Sequence, residues 1–421
     1  MKTSFPKSKI EVVLLEGIHD SAAELFRDEG FSVRTEKTSL EGQELLDAIR
    51  DAHILGIRSK TQITPEVIAE SQRLLALGCF CIGTNQVALQ DAAKAAVPVF
   101  NAPFSNTRSV AELTIAETIM LSRRTFERAK AMHEGTWSKS AARSHEIRGK
   151  VMGIVGYGHI GSQVSVLAEA MGMHVIYFDV APKLPLGNAT AVRSLEELLD
   201  TADIVTLHVP ATPQTAGMIG REEIRRMKRT AHLINNARGS VVDVDALAVA
   251  LREERLAGAA LDVFPDEPAA REATFVNPLQ GIANVILTPH VGGSTQEAQE
   301  NIGGEVAAKL TKFINNGSTT GAVNVPNVDL PEQSKARYGF AEAGDDAPRP
   351  HRILHFHQNT AGVLAKVNNA ISELGVNVAA QHLQTAGELG YVVLDVDPSN
   401  GNELKAKLNE IPETIRTRIL W

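Results

Sequence analysis

Three glycines, Gly156, Gly158 and Gly161, fall between the apolar run Val151 to Val155 and a stretch in which Ile160, Val164, Leu167, Ala168 and Met171 recur at helical spacing. That order predicts a strand, a tight turn and a helix, and it constrains the fold more than any other feature of the chain. Gly156 permits the turn, Gly158 lets the backbone approach a pyrophosphate, and Gly161 lets helix and strand pack closely. The phosphates of a dinucleotide then rest on the positive end of the helix. A second strand, His174 to Phe178, ends at Asp179, eighteen residues beyond the last glycine. A carboxylate there accepts hydrogen bonds from a ribose diol and repels a 2′-phosphate, so the expected cofactor is NAD, not NADP.

Length and charge narrow the rest. At 421 residues the chain has room for two or three domains. With 42 Lys and Arg against 50 Asp and Glu, the net charge of -8 argues against general nucleic-acid or anionic-membrane binding, and an anionic substrate must meet a local basic cluster. No apolar run reaches the roughly eighteen residues of a membrane span, and the N-terminal residues lead into a strand, so the chain is expected in the cytoplasm. Cys79 and Cys81 lack zinc-ligand spacing and read as buried strand thiols, with no metal expected.

Alternating strand and helix patterns precede the glycine loop: strands at 10–15, 31–34 and 54–57, helices at 21–28 and 45–50. They imply a parallel sheet. A long helical pattern at 109–124 leads to the loop, and strands recur at 204–209, 232–235, 259–263 and 285–288. A helix at 296–313 then returns toward the first sheet. The expected architecture is a Rossmann-type dinucleotide domain (106–294) inserted in a flavodoxin-like substrate domain (1–105 and 295–330), with the active site in the cleft between them. A Gly- and Pro-containing linker (331–350) precedes a domain of order βαββαβ (351–421), a ferredoxin-like pattern.

Three polar segments close predicted strands, where ligand crevices of α/β sheets lie: Asn235 to Gly239, Asp262 to Pro268, and Thr288 to Gly293. Hydride transfer between NAD and a 2-hydroxy acid needs a base for the hydroxyl proton, a cation for the carboxylate and a group to orient the base. His290 can take or return the proton, a role worth about 10² to 10⁴ in rate. Glu267 can accept its other ring N–H, and the Arg238 fork matches a carboxylate. Asp262 can serve the nicotinamide carboxamide or simply hold a turn.

At these residues the chain resembles the D-isomer-specific 2-hydroxyacid dehydrogenases, and among them the members that oxidise phosphoglycerate and carry a C-terminal ACT domain. The runs Asn101 to Glu112, Thr288 to Ile302 and Gly375 to Gln381 carry the likeness over nearly the whole chain. The resemblance implies Arg238, Glu267 and His290 as catalytic residues. It implies NAD contacts from His159, Ile160, Asp179, the backbone of Asn236, Ala237 and Arg238, Asp262, and His290 through Val291, Gly292 and Gly293. Asn236 stands where such enzymes usually carry a small residue. For 3-phosphoglycerate it favours Arg58, Ser59 and Asn106, with Lys139 reaching toward a neighbouring subunit; Lys37 and Arg108 are further candidates.

The ACT likeness implies serine as effector, held between paired subunits by His357, Asn359 and Asn377, although Thr360 and Ala361 stand where Arg and Pro are common. It also implies a homotetramer, feedback inhibition, and a side reaction reducing 2-oxoglutarate to 2-hydroxyglutarate. Two other readings stay open: a reductase of glyoxylate or hydroxypyruvate, and an NAD-sensing binding protein resembling corepressors of the same fold.

Overall fold

The computed structural model describes residues 5–268, 274–331 and 350–420. The chain divides into two compact units, 1–105 with 299–421, and 106–298. The linker expected at 331–350 lies, apart from its two end residues, outside the described residues.

In the first unit, strands β1 (Glu11–Leu14), β2 (Ser32–Thr35), β3 (Ile54–Ile57), β4 (Ala76–Cys79) and β5 (Val99–Asn101) form a parallel sheet of order β2-β1-β3-β4-β5. This is the flavodoxin-like order. β3 and β4 are buried at every position, because a parallel sheet is covered on both faces and its central strands read as unbroken apolar runs. The helix Gln296–Asn316 sends Ile302, Val306, Leu310 and Phe313 into one core with Phe26, Phe80 and Phe100. Cys79 is buried in β4, but Cys81 lies beyond the strand end, where its thiol donates to the Gly83 carbonyl at 3.1 Å. The reading of both as strand thiols therefore fails for Cys81, since β4 stops before Phe80.

The second unit carries β6 (Val151–Val155), β7 (His174–Phe178), β8 (Thr190–Ala191), β9 (Ile204–Leu207), β10 (His232–Asn235), β11 (Gly258–Leu261) and β12 (Val285–Leu287). All pair in parallel, in the order β12-β11-β10-β9-β6-β7-β8. Strand order reverses between β6 and β9, the switch point where a doubly wound sheet opens its ligand crevice.

The terminal sheet is antiparallel: β13 (His351–Gln358), β14 (Val378–Ala386), β15 (Leu389–Val396) and β16 (Thr414–Leu420), in the order β14-β15-β13-β16. Its alternation faces two ways. Ile353, Val392 and Leu394 pack on the helices Val363–Glu373 and Gly401–Asn409, while Leu354, Phe356, Tyr391 and Val393 join the core of the first sheet with Phe313 and Ile314. The Tyr391 hydroxyl donates to the Gly317 carbonyl at 2.6 Å. Arg352 is fully buried; its Nε and Nη2 donate to Asp395 at 2.6 and 2.8 Å, and its Nη1 to the carbonyls of Asn316 and Pro331. These contacts group 351–420 with the first unit. Among the described residues no helix is long and apolar enough to cross a membrane.

Candidate active site

The glycine loop follows β6 and opens the helix His159–Ala170. Gly156 holds φ +92°, and a Cβ there would stand 2.9 Å from the His208 backbone. A Cβ on Gly161 would stand 2.2 Å from the Gly156 carbonyl oxygen, so only glycine lets this helix start so close to the strand. Around Gly158, by contrast, nothing lies within 4 Å of a built Cβ. The loop is packed on two sides and open on the third, at the positive end of a helix, which is the cradle a pyrophosphate fits. The Asp179 carboxylate accepts from Tyr157 N at 2.8 Å and from Ala181 N at 2.9 Å, so the loop itself holds this acid beside the cradle.

The catalytic candidates come from the ends of β10, β11 and β12. Asn235, fully buried, clamps the first turn: its Oδ1 accepts from Ala237 N at 3.1 Å and its Nδ2 donates to the Arg238 carbonyl at 3.0 Å. Arg238 Nη1 donates to the Ala237 carbonyl at 2.7 Å. A Cβ on Gly239 would stand 1.9 Å from the carbonyl carbon of Phe264. The turn bearing Arg238 is thereby seated against the segment bearing Glu267.

Glu267 Oε1 accepts from Phe264 N at 3.1 Å, and its Oε2 faces His290 Nδ1 at 2.7 Å. His290 adopts φ +54°, a region that costs a non-glycine residue of order 1 kcal/mol and persists only where surroundings enforce it. Here Asp262 enforces it. Its backbone carbonyl accepts from His290 N at 2.8 Å, and its carboxylate accepts from Thr288 Oγ1, Val291 N and Gly292 N at 2.6 to 2.8 Å. Of the two roles open to Asp262, the geometry engages its carboxylate in the turn.

The charges are tuned accordingly. The Glu267 hydrogen bond raises His290 above the ordinary imidazole range, against partial burial and the Arg238 charge. Burial pushes Glu267 up, but the bonds from His290 and Phe264 N, with the His290 and Arg238 charges, leave it below the usual carboxylate value. The three side chains thus form one electrostatic group: a half-exposed imidazole with an ionised carboxylate at Nδ1 and a guanidinium nearby. That arrangement can accept a proton at Nε2 and bind an anion beside it.

Two features of this unit escaped sequence reading. His208, after β9, stands over Gly156 with its Nε2 3.0 Å from Thr206 Oγ1, and burial pushes it down to about 3. Its position at a strand end on the switch point was the available signal. Glu117, in the helix Thr107–Arg123, is buried; burial and the Asp262 charge push it up, against the Asn236 bond, to about 7. Asn236 Nδ2 donates to Glu117 Oε2 at 2.7 Å and to Thr114 Oγ1 at 3.1 Å, so its side-chain amide nitrogen serves that helix, while its Oδ1 is buried without a hydrogen-bond partner.

The remaining candidates lie on other segments of the two units. Asn106 precedes that helix, its Oδ1 buried without a hydrogen-bond partner and its amide against Gly293. Lys139 is exposed in the stretch after the helix Thr125–His133. In the other unit, Arg58 and Ser59 follow β3, on a turn gathered by Glu16, whose carboxylate accepts from the amides of Arg58, Lys60 and Thr61 at 2.9 to 3.1 Å. In the terminal sheet, His357 is buried against Gly390, with Nδ1 3.0 Å from the Gln358 carbonyl. Asn359 Nδ2 donates to the Gly387 carbonyl, whereas the Asn377 carbonyl accepts from Asp397 N. One chain therefore places His357 and Asn359 at one end of the sheet and Asn377 at the other.

Comparison with known proteins completes the picture. Residues 115–292 match the family model for the NAD binding domain of D-isomer specific 2-hydroxyacid dehydrogenases, and residues 353–416 match that for the AHAS small subunit-like ACT domain. The chain is 51% identical over 421 residues to D-3-phosphoglycerate dehydrogenase of Haemophilus influenzae, spanning 100% of this chain and 99% of the relative. It is 50% identical over 423 residues to the protein of the same name from Escherichia coli K12, spanning 100% of both. Among solved structures, an NAD-complexed D-isomer specific 2-hydroxyacid dehydrogenase from Lactobacillus delbrueckii superposes with TM-score 0.66 at 26% identity, covering 75% of this chain and 100% of that one. D-lactate dehydrogenase from Aquifex aeolicus, complexed with NAD and lactic acid, gives TM-score 0.62 at 27% identity, covering 72% and 95%.

Proposed function

Since this chain belongs to the family of D-isomer specific 2-hydroxyacid dehydrogenases, we propose that it oxidises 3-phospho-D-glycerate to 3-phosphooxypyruvate with NAD⁺, the entry step of L-serine biosynthesis. The observation that carries the chemistry is the 2.7 Å contact of His290 Nδ1 with Glu267 Oε2 beside Arg238. NAD⁺, when bound, supplies the two-electron acceptor for the hydride leaving C2. Neutral His290 takes the C2 hydroxyl proton at Nε2 while Glu267 holds the productive tautomer and stabilises the imidazolium that forms. Arg238 binds the substrate carboxylate and polarises the neighbouring oxygen.

The cradle of Gly156, Gly158 and Gly161, with His159 and Ile160 opening the helix, would hold the pyrophosphate, and Asp179 the ribose diol. The backbone of Asn236 to Arg238 and of His290 to Gly293, steadied by Asp262, would face the nicotinamide. Arg58, Ser59, Asn106 and Lys139 would supply phosphate and carboxylate contacts, Lys139 to a neighbouring copy. We assign 1–105 with 295–330 to the substrate, 106–294 to NAD and 351–421 to regulation. The protein would act in the cytoplasm as a homotetramer inhibited by serine, and would also reduce 2-oxoglutarate. Because His357 and Asn359 lie at the opposite sheet end from Asn377, a serine site using all three must draw them from two copies.

The test is kcat/KM for 3-phosphoglycerate against unphosphorylated D-glycerate, with and without serine. A preference of at least about a hundredfold, some 3 kcal/mol, is expected. Equal values would remove the phosphoglycerate assignment, and indifference to serine would remove the effector.

A further inference from the structure

A cavity of about 1020 Å³ opens in the first unit, where β16 faces β1, β2 and the turns preceding β3 and β4. Among the described residues six cationic side chains line it: Lys9, Arg34, Arg73, Lys405, Arg416 and Arg418. Three carboxylates share the lining, and two of them are already engaged: Asp51 pairs with Arg73 at 3.1 Å, and Asp47 pairs with Arg50. Of the described lining residues, only Glu11 remains as a carboxylate to face the other five cations. In a chain of net charge -8, this concentration of positive charge runs against the composition.

Two of the cations are placed so that water does little to neutralise them. Arg416 and Arg418, two residues apart on β16, point to the same side of the strand. Arg416 Nη1 donates to the Leu74 carbonyl at 2.5 Å, and Arg418 Nη2 to the Ile314 carbonyl at 3.1 Å, with its guanidinium 5.3 Å from the Phe313 ring. Arg418 Nη1 is buried without a hydrogen-bond partner. Neither guanidinium meets a carboxylate among the described residues, although both are partly withdrawn from solvent, where an unpaired charge is costly. His53 adds a neutral donor: its Nδ1 accepts from Glu11 N at 3.1 Å, which leaves the ring hydrogen on Nε2.

We propose that this cavity binds a small organic polyanion carrying two or more carboxylate or phosphate groups. Arginine forks recognise both groups bidentately, and several cations at fixed separation favour a multivalent ligand over a single monovalent ion. The room is ample for a molecule of that class and too confined for a nucleic-acid helix. The ligand would bridge β16 to β1 and β2, supplying the counter-charge the chain lacks and tightening the terminal sheet onto the first one.

The probes are inorganic pyrophosphate and citrate, titrated calorimetrically into full-length protein saturated with NADH, at ionic strength held constant with sodium chloride. One saturable site per chain is expected, and the probe that binds more tightly tells phosphate from carboxylate recognition. Arg34→Gln and Lys405→Glu change exposed residues outside the catalytic group, and each should weaken binding at least tenfold while leaving kcat unchanged. Arg58→Gln, in the proposed substrate site, should leave it intact. Absence of binding by either probe up to about 10 mM, indifference to Arg34→Gln and Lys405→Glu, or loss on Arg58→Gln would each overturn the proposal. Failure of the phosphoglycerate assignment would not affect it.

Discussion

At the scale of single residues, the catalytic group and a buried acid near it make opposite use of burial. His290 is raised chiefly by its bond to Glu267, so in the oxidative direction activity should climb as pH rises through that elevated pKa and the imidazole becomes a free base. Glu267→Gln removes the raising partner. Its acid limb should move to lower pH while kcat falls at least about tenfold; an unmoved limb in kcat against pH would detach Glu267 from the proton step. Glu117 is raised to about 7 by burial, so the fold holds its proton more tightly than the unfolded chain does. The stability it contributes is complete below the ordinary carboxylate pKa and is lost as pH rises through about 7. Glu117→Gln should therefore gain thermal stability over the parent as pH goes from 5 to 8, by at most a few kcal/mol. A difference independent of pH would contradict this.

At the scale of elements, the glycine loop and the three strand-end turns are built by close backbone approach. Ala at position 161 would place its Cβ 2.2 Å from a backbone oxygen, which cannot swing aside as a side chain can. Gly161→Ala should push the helix off β6, costing about 1–3 kcal/mol by overpacking and weakening NADH binding at least tenfold, read by thermal melting and fluorescence titration. Unchanged NADH affinity would mean that the helix start does not shape the cradle. These elements were legible because glycine spacing, apolar periodicity and strand-end position are local. Asn235, Asp262 and Glu16, which set the turns, were less so. Their hydrogen bonds go to backbone amides, which every residue type provides and no motif marks.

For the whole molecule, the terminal sheet divides its two faces between its own helices and the core of the first sheet, and the Arg352–Asp395 pair is buried at that second face. Asp395→Asn removes the carboxylate that meets the buried Arg352 Nε at 2.6 Å and should cost about 3–5 kcal/mol, read as earlier melting and faster proteolysis of 351–421. The double change Arg352→Met with Asp395→Leu should recover most of the loss. If the single substitution is as stable as the parent, the pair does not hold the sheet.

The sequence alone determined what depends on neighbours along the chain: three sheets with their helices, the glycine cradle, the acid closing β7, and Arg238, Glu267 and His290 at strand ends. Period and spacing are properties of a few consecutive residues, and backbone geometry turns them directly into faces and turns. Only the tertiary structure decided that Asn236 spends its side chain on Glu117, 119 residues away, and that Cys81 leaves its strand. It also decided that the effector candidates lie at opposite sheet ends and that β16 closes a cationic cavity with β1. Those are matters of which distant surfaces meet, and they are settled by packing and charge compensation across the fold, for which a linear spacing carries no signal.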